Sequence, residues 1–313
     1  MSTKPILAVF GVTGNQGYST AHHVLTSPTL SAKYNVRAIS RTASHPNLTS
    51  LSSLGAEITC ADMSDPSTLP SALKNVSYLF LLTTTQYTGQ SRAIETQHAK
   101  NVCTEALKQG VRYIIFSSMS HPYKITSGKL KNVEHFDVKA EIETYIRSLP
   151  VQSAFFAPAS FMQNFHTQIK PRPSEDDDGT YVLADMLPDN ALVPYLDITD
   201  TGKFIGPILA DPDKYAGKFF AAAERFYTRD EVVKIISKVT GKTVRHVQLE
   251  DEVVKSHFPE GLREALGEMW VLMREYGYYG EGEQELVKWA REQVEGELTG
   301  LEEFLRKSKF TLD

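Results

Sequence analysis

The strongest constraint on this chain is an apolar run, Ile6-Leu7-Ala8-Val9-Phe10, that leads directly into Gly11-Val12-Thr13-Gly14-Asn15-Gln16-Gly17. A buried strand passing through closely spaced glycines into a helix is how open α/β sheets hold a dinucleotide. Missing Cβ atoms let the backbone turn sharply and approach a pyrophosphate, and the helix N-terminus adds unpaired N–H groups and the positive end of its dipole. The spacing is GxxGxxG. Any tight strand-to-helix turn can use glycine, so it is the motif's place, right behind the first strand, that favours a dinucleotide site.

The rest of the first half alternates in the same way. Apolar runs at Ile6–Phe10, Val36–Ile39, Glu57–Cys60, Tyr78–Leu82, Tyr113–Phe116 and Ser153–Phe156 read as strands. Rich in Val, Ile and Phe without strict alternation, they suit parallel strands covered on both faces. Between them lie helical stretches, the clearest being Gln90–Gln109, with Ile94, Val102, Ala106 and Leu107 spaced for one face and Gly110 ending it. Short connections make this a right-handed, doubly wound parallel sheet, placed at residues 1–157. After Phe156 prolines and turns take over, with a short strand at Tyr181–Leu183. Helices return at Thr228–Thr240, opened by a Thr228/Glu231 capping box, and across Leu262–Leu305. Residues 158–313 therefore read as a smaller α+β lobe, interleaved with the sheet and not independent of it. The aromatic cluster Trp270 to Tyr279 reads as helix core and a packed turn, with a cleft wall or partner surface as the other reading.

Charge narrows the partners. The 313 residues carry a net −5 with no basic run, which gives direct nucleic-acid binding little electrostatic support. Glu175-Asp176-Asp177-Asp178 is most simply a solvated loop. No stretch approaches the roughly 20 apolar residues of a membrane span. Cys60 and Cys103 fall inside expected core elements and read as two buried thiols in a reducing compartment. The expected location is cytoplasmic, with the nucleus also open. Nine histidines and two cysteines show no ligand-like spacing, so no metal is expected.

The second strand addresses the type of cofactor. An acidic residue near its end would bind the ribose 2′-OH of NAD. Here it reads Val36-Arg37-Ala38-Ile39-Ser40-Arg41. A guanidinium suits the 2′-phosphate of NADP(H), and Arg41 lies better for it than Arg37, which alternation puts part-way down the strand. Ala61-Asp62 follows the third strand, where Asp62 would meet the adenine or merely close an Asx turn. Leu82-Thr83-Thr84 follows the fourth strand and Ser117-Ser118 the fifth. His135 and Lys139, four apart on a helix, share a face.

These pieces, with GAEITCAD, ITSGKL, HFDVKAEIETYI, FMQNF and LEEFLRKSKFTL, resemble the NmrA-like family of atypical short-chain dehydrogenase/reductase (SDR) proteins nearly end to end. The run HFDVKAEIE is similar to the family's NADPH-binding redox-sensor branch more than to its nitrogen-repression regulator. The resemblance implies a Rossmann sheet and NADP(H). It places Gly11, Thr13, Gly14, Asn15, Gln16 and Gly17 at the pyrophosphate, Arg41 at the 2′-phosphate and Asp62 at the adenine. Thr83 and Thr84 would run along the cofactor, and Phe161, Met162, Gln163 and Asn164 would close over the nicotinamide. Ordinary SDR enzymes carry Tyr-x-x-x-Lys, in which Lys holds the nicotinamide ribose and Tyr moves a proton. This chain has His135 where that Tyr would stand and keeps Lys139. His135, Lys139 and Ser118 are thus the candidate catalytic residues, if there is catalysis. Two functions follow: an NADP(H) sensor that regulates a protein partner, or an NADPH-dependent reductase of a small carbonyl, imine or enone. A homodimer is left open.

Overall fold

A computed structural model describes residues 4–85, 90–176 and 178–312 of the chain. Its centre is a seven-stranded parallel sheet. Six strands come in order from the first half: β1 (Ile6–Phe10), β2 (Asn35–Ser40), β3 (Glu57–Cys60), β4 (Val76–Leu81), β5 (Tyr113–Ser117) and β6 (Gln152–Pro158). The seventh, Phe219–Ala222, returns from the second half and pairs with β6, so the order is Phe219–Ala222, β6, β5, β4, β1, β2, β3. The chain reverses direction across the sheet between β1 and β4, and in such sheets ligands sit beyond the carboxyl ends of the strands at that point. Helices cover both faces, as the continuously apolar strands require: Leu7, Val9, Phe80 and Ile115 serve one core and Ala8, Phe10, Leu79, Leu81 and Ile114 the other.

The second half builds two small three-stranded sheets beside the large one, Ser160–Phe161 with Val193–Leu196 and Arg225–Tyr227, and Arg172–Pro173 with Tyr181–Asp185 and Val244–Gln248. It is tied to the large sheet at several points. The Thr201–Ala210 helix lies on the first helix, Asn15–Thr26, where Ser19 Oγ donates to Thr199 O and accepts from Gly202 N. A Cβ on Gly202 would stand 2.4 Å from His23 Cβ, so glycine is what lets these helices touch. Trp270, Met273, Tyr278 and Tyr279 are buried, with the Tyr279 hydroxyl donating to Ala157 O. This cluster is core. The Thr228/Glu231 capping box is formed in both directions.

One expectation from the sequence is overturned here. Cys103 is buried, but Cys60 is exposed, because β3 is the edge strand of the sheet and has a neighbour on one side only. Asp177 of the acidic run, like residues 1–3, lies outside the described residues. Asp178, beside it, is solvated.

Candidate functional site

The three glycines of the first turn have different reasons to be glycine. Gly11 holds φ +71°, a left-handed conformation that disfavours a side chain, and a Cβ there would lie 2.8 Å from Leu82 Cδ2. At Gly17 a Cβ would stand 2.4 Å from the Gly11 carbonyl, so this glycine lets the first helix close onto β1. Gly14 is unlike both. Among the described residues its Cβ would meet only Gly11 O, at an ordinary 3.5 Å. Packing therefore tolerates a side chain at Gly14, and its absence keeps the space above the helix N-terminus clear. The helix itself starts with no capping side chain and no acidic residue in its first turn, the condition in which such an end receives an anion. Asn15 is exposed beside it, while Gln16 reaches across to accept from Ser117 Oγ at 2.7 Å.

A cavity at the carboxyl ends of the strands continues from this turn. Gly11 and Thr13 line one side, Ser40 and Arg41 the end of β2, Ala61, Asp62 and Met63 the end of β3, and Leu82 and Thr84 the end of β4. His98 closes it from the Ser91–Lys108 helix. Seven of the residues singled out in the sequence thus share one cavity. Arg41 is exposed at its lip. Asp62 does two things: it lines the cavity, and its Oδ1 accepts from Ser64 N and Ser64 Oγ, both at 2.8 Å. Those hydrogen bonds hold its carboxyl below the usual range. Met63 and His98 were not anticipated. Met63 directly follows Asp62, and its place in the chain was a signal; His98 comes from the middle of a helix and left none.

Further along β4 the polar groups meet a buried ion pair. Lys139 Nζ, on the Glu134–Arg147 helix, donates to Glu95 Oε2 at 2.7 Å, to Thr83 O at 3.0 Å and to Thr83 Oγ1 at 3.2 Å. Glu95 is 0% exposed. Burial pushes its carboxyl up, but the Lys139 charge and hydrogen bonds from Lys139, Thr83 and Ser91 outweigh that and leave it below its ordinary value. Burial lowers the Lys139 ammonium in turn, with Glu95 opposing. His135 lies one turn before Lys139; burial first, then the Lys139 charge, brings its imidazole down to about 4. The ring is neutral at pH 7 and packs edge-on against Phe136. His135 is therefore neither an exposed nor a capping histidine. Glu95 is the residue the apolar periodicity concealed.

Several candidates fall elsewhere. Arg37 does not line the cavity. It lies opposite Glu57, at the start of β3, where its Nε pairs with Glu57 at 2.9 Å and its Nη1 donates to the Ala72 and Lys74 carbonyls. Four residues of rise separate it from Arg41, which lies past the end of β2. Ser118 is fully buried, and its hydroxyl donates to Glu143, beneath the Glu134–Arg147 helix. Met162 is fully buried in the core. The Gln163 amide is spent between Asp197 and Ile198 N, and Asn164 O accepts from Thr167 and Ile169 N. Of this stretch Phe161, Gln163 and Asn164 are half-exposed.

The parallel sheet order, the glycine turn at its first strand and the cleft beyond its carboxyl ends define a Rossmann-type protein of the SDR kind. The chain belongs to the NmrA-like family, whose model matches residues 3–305. It is 29% identical to an NmrA-like family domain-containing protein of Dictyostelium discoideum over 99% of this chain and all of that protein. It is 30% identical to the NmrA-like family domain-containing oxidoreductase FrzB of Cladobotryum sp over 77% of this chain and 75% of that one. Among solved structures it superposes on NmrA, a negative transcriptional regulator crystallised in complex with NAD, with a TM-score of 0.80 and 22% identity over 98% of this chain and 95% of that chain. NmrA has also been crystallised in complex with NADP. Among the described residues no helix is long and apolar enough to cross a membrane, and no group of three or more His, Cys, Asp or Glu could hold a metal ion.

Proposed function

We propose that the chain holds NADP(H) in this cleft and acts as a sensor of the cofactor, passing its occupancy to a protein partner. The cofactor's pyrophosphate would lie on the clear N-terminus at Gly14, its adenine between Asp62, Met63 and His98, and its 2′-phosphate against Arg41. The observation that carries the sensor reading is the pair at the nicotinamide end. The residue in the Tyr position is a histidine that stays neutral at pH 7, and Lys139 is already committed to Glu95 and Thr83. Neither is arranged as the proton donor of an ordinary reductase, whose acid must stand within about 3.2 Å of the substrate oxygen with a matched pKa. The second reading, an NADPH-dependent reductase of a small carbonyl, imine or enone, draws support from relatives such as FrzB that are named oxidoreductases. The test is calorimetric titration with NADPH and NADH, followed by NADPH oxidation against a panel of carbonyl compounds. Binding with little turnover is expected, together with a cofactor-dependent change in melting temperature, as ligand linkage requires. Brisk reduction that vanishes in Lys139→Ala with binding intact would establish the reductase.

A further inference from the structure

We propose that Glu95 is the positioning residue of this cleft: it pins the Lys139 ammonium against Thr83, making Lys139 a fixed cation and not a carrier of protons. The inference rests on the cofactor-binding reading above and deepens it. An ammonium has three N–H donors, and three acceptors surround Nζ: Glu95 Oε2, Thr83 O and Thr83 Oγ1. The network has one consistent direction. Thr83 Oγ1 donates its own proton to Glu95 Oε2 at 2.7 Å, so it can meet Lys139 only as an acceptor. Glu95 Oε1 is occupied by Ser91 Oγ at 3.0 Å. Among the described residues, the Ser91–Lys108 helix supplies Glu95 to Nζ, the end of β4 supplies Thr83, and the lysine's own helix supplies His135, uncharged at pH 7.

Burial makes this arrangement stiff. The carboxylate is inaccessible to water and the lysine side chain only 15% exposed. Such a pair is held by its geometry, because removing either charge leaves the other unpaired away from water. A general base must shed its proton at working pH, and an opposite charge within hydrogen-bond distance works against that by roughly 1–3 pH units. A nicotinamide ribose arriving at this point would meet an ammonium whose donors are spent and would have to share them with Thr83. Lys139 and Glu95 together form a fixed dipole with its ammonium end against Thr83, and Glu95 sets its direction.

The test replaces Glu95 with its neutral isostere. Lysine labelled with ¹³C at Cε is titrated by NMR in the ligand-free native protein and in Glu95→Gln, the Lys139 signal being assigned by its loss in Lys139→Arg. The expected result is a Lys139 midpoint at least about one pH unit lower in Glu95→Gln. The pH above which NADPH affinity weakens should then be lower in the variant than in the native protein, by about as much as the Lys139 midpoint moves. A purely structural glutamate would shift overall stability without moving the lysine midpoint. An unchanged midpoint overturns the proposal. If Glu95→Gln does not fold, Glu95→Asp carries the same test: a carboxylate one methylene short of Nζ should lower the midpoint by a smaller amount, and no change is again the overturning result. The lysine titration is read without cofactor. Failure of the native protein to bind NADPH therefore overturns the functional reading separately.

Discussion

At Gly14 the fold asks nothing and the proposed ligand asks everything, which makes this residue the cleanest probe of the site. Among the described residues a Cβ there meets only one carbonyl oxygen, at van der Waals distance, whereas one at Gly17 would collide with backbone. Gly14→Val is expected to melt close to the native temperature and to lose NADPH binding, as calorimetry and a thermal scan will show together. Normal binding in Gly14→Val would move the phosphate site elsewhere. Arg41 makes a second prediction at the same scale. A hydrogen bond between charged partners contributes about 1.5–3 kcal/mol, and Arg41 is exposed at the cavity lip, so the lower end applies. Arg41→Ala should weaken NADPH about tenfold and leave NADH nearly unchanged in parallel titrations. Arg37→Ala should act differently. Its guanidinium ties β2 to β3 and to the Ala72 and Lys74 carbonyls, so its loss should lower stability more than cofactor selectivity.

At the scale of elements, two helices that share an apolar core also bring polar groups together. The Glu134–Arg147 helix offers His135 and Lys139, and the Ser91–Lys108 helix offers Ser91 and Glu95. His135 gives this contact a pH signature. Its imidazole is depressed from 6.5 to about 4 in the folded chain, so between those values the unfolded chain binds a proton that the folded one refuses. Stability then falls as pH drops from about 6.5 toward about 4 and levels off below. Chemical denaturation at pH 7 and pH 5 should show a smaller loss in His135→Gln than in the native protein; an equal loss would mean the ring is not held neutral. The same helices show where sequence reading reaches and where it stops. Strands Ile6–Phe10 and Glu57–Cys60 were legible to the residue, and Gln90–Gln109 to within one residue at each end, because strong apolar runs and a terminal glycine mark them. The buried face of that helix was read in part, since Val102 and Ala106 are fully buried. Ile94 and Leu107 are half-buried, while Ser91 and Glu95 point inward. Periodicity counts apolar side chains, and a buried carboxylate becomes sensible only once its partner, 44 residues later, is brought to it. The cavity-lining residues that follow strands were legible for the opposite reason, since strand ends alone determine where they fall. The seventh strand, Phe219–Ala222, was hidden because it comes more than 60 residues after its partner β6, outside the alternation of the first half.

For the whole molecule, that late strand decides what can be separated from what. Most of the cleft comes from the first 140 residues, yet β6 takes its outer partner from Phe219–Ala222, and the Thr201–Ala210 helix packs on the helix of the glycine turn. A chain ended after Pro158 should therefore fail to give a soluble NADPH-binding unit despite carrying the turn, Arg41, Asp62 and Lys139. Expression of residues 1–158 with light scattering and NADPH titration checks this, and a monomeric, cofactor-binding fragment would refute it.

The same pairing sets a clock during synthesis. Ala154, Phe155, Phe156 and Ala157 are fully buried in the finished protein, but the strand that shields their edge emerges more than 60 residues later. At about 5–20 residues per second that is roughly 3–13 s of translation. Throughout that interval the growing chain carries an apolar strand with an open row of backbone donors and acceptors, the kind of edge that recruits other strands. Slow translation between residues 158 and 222 lengthens the interval, and crowded synthesis makes it costlier. The yield of folded protein in a cell should then depend on how quickly the ribosome crosses that stretch.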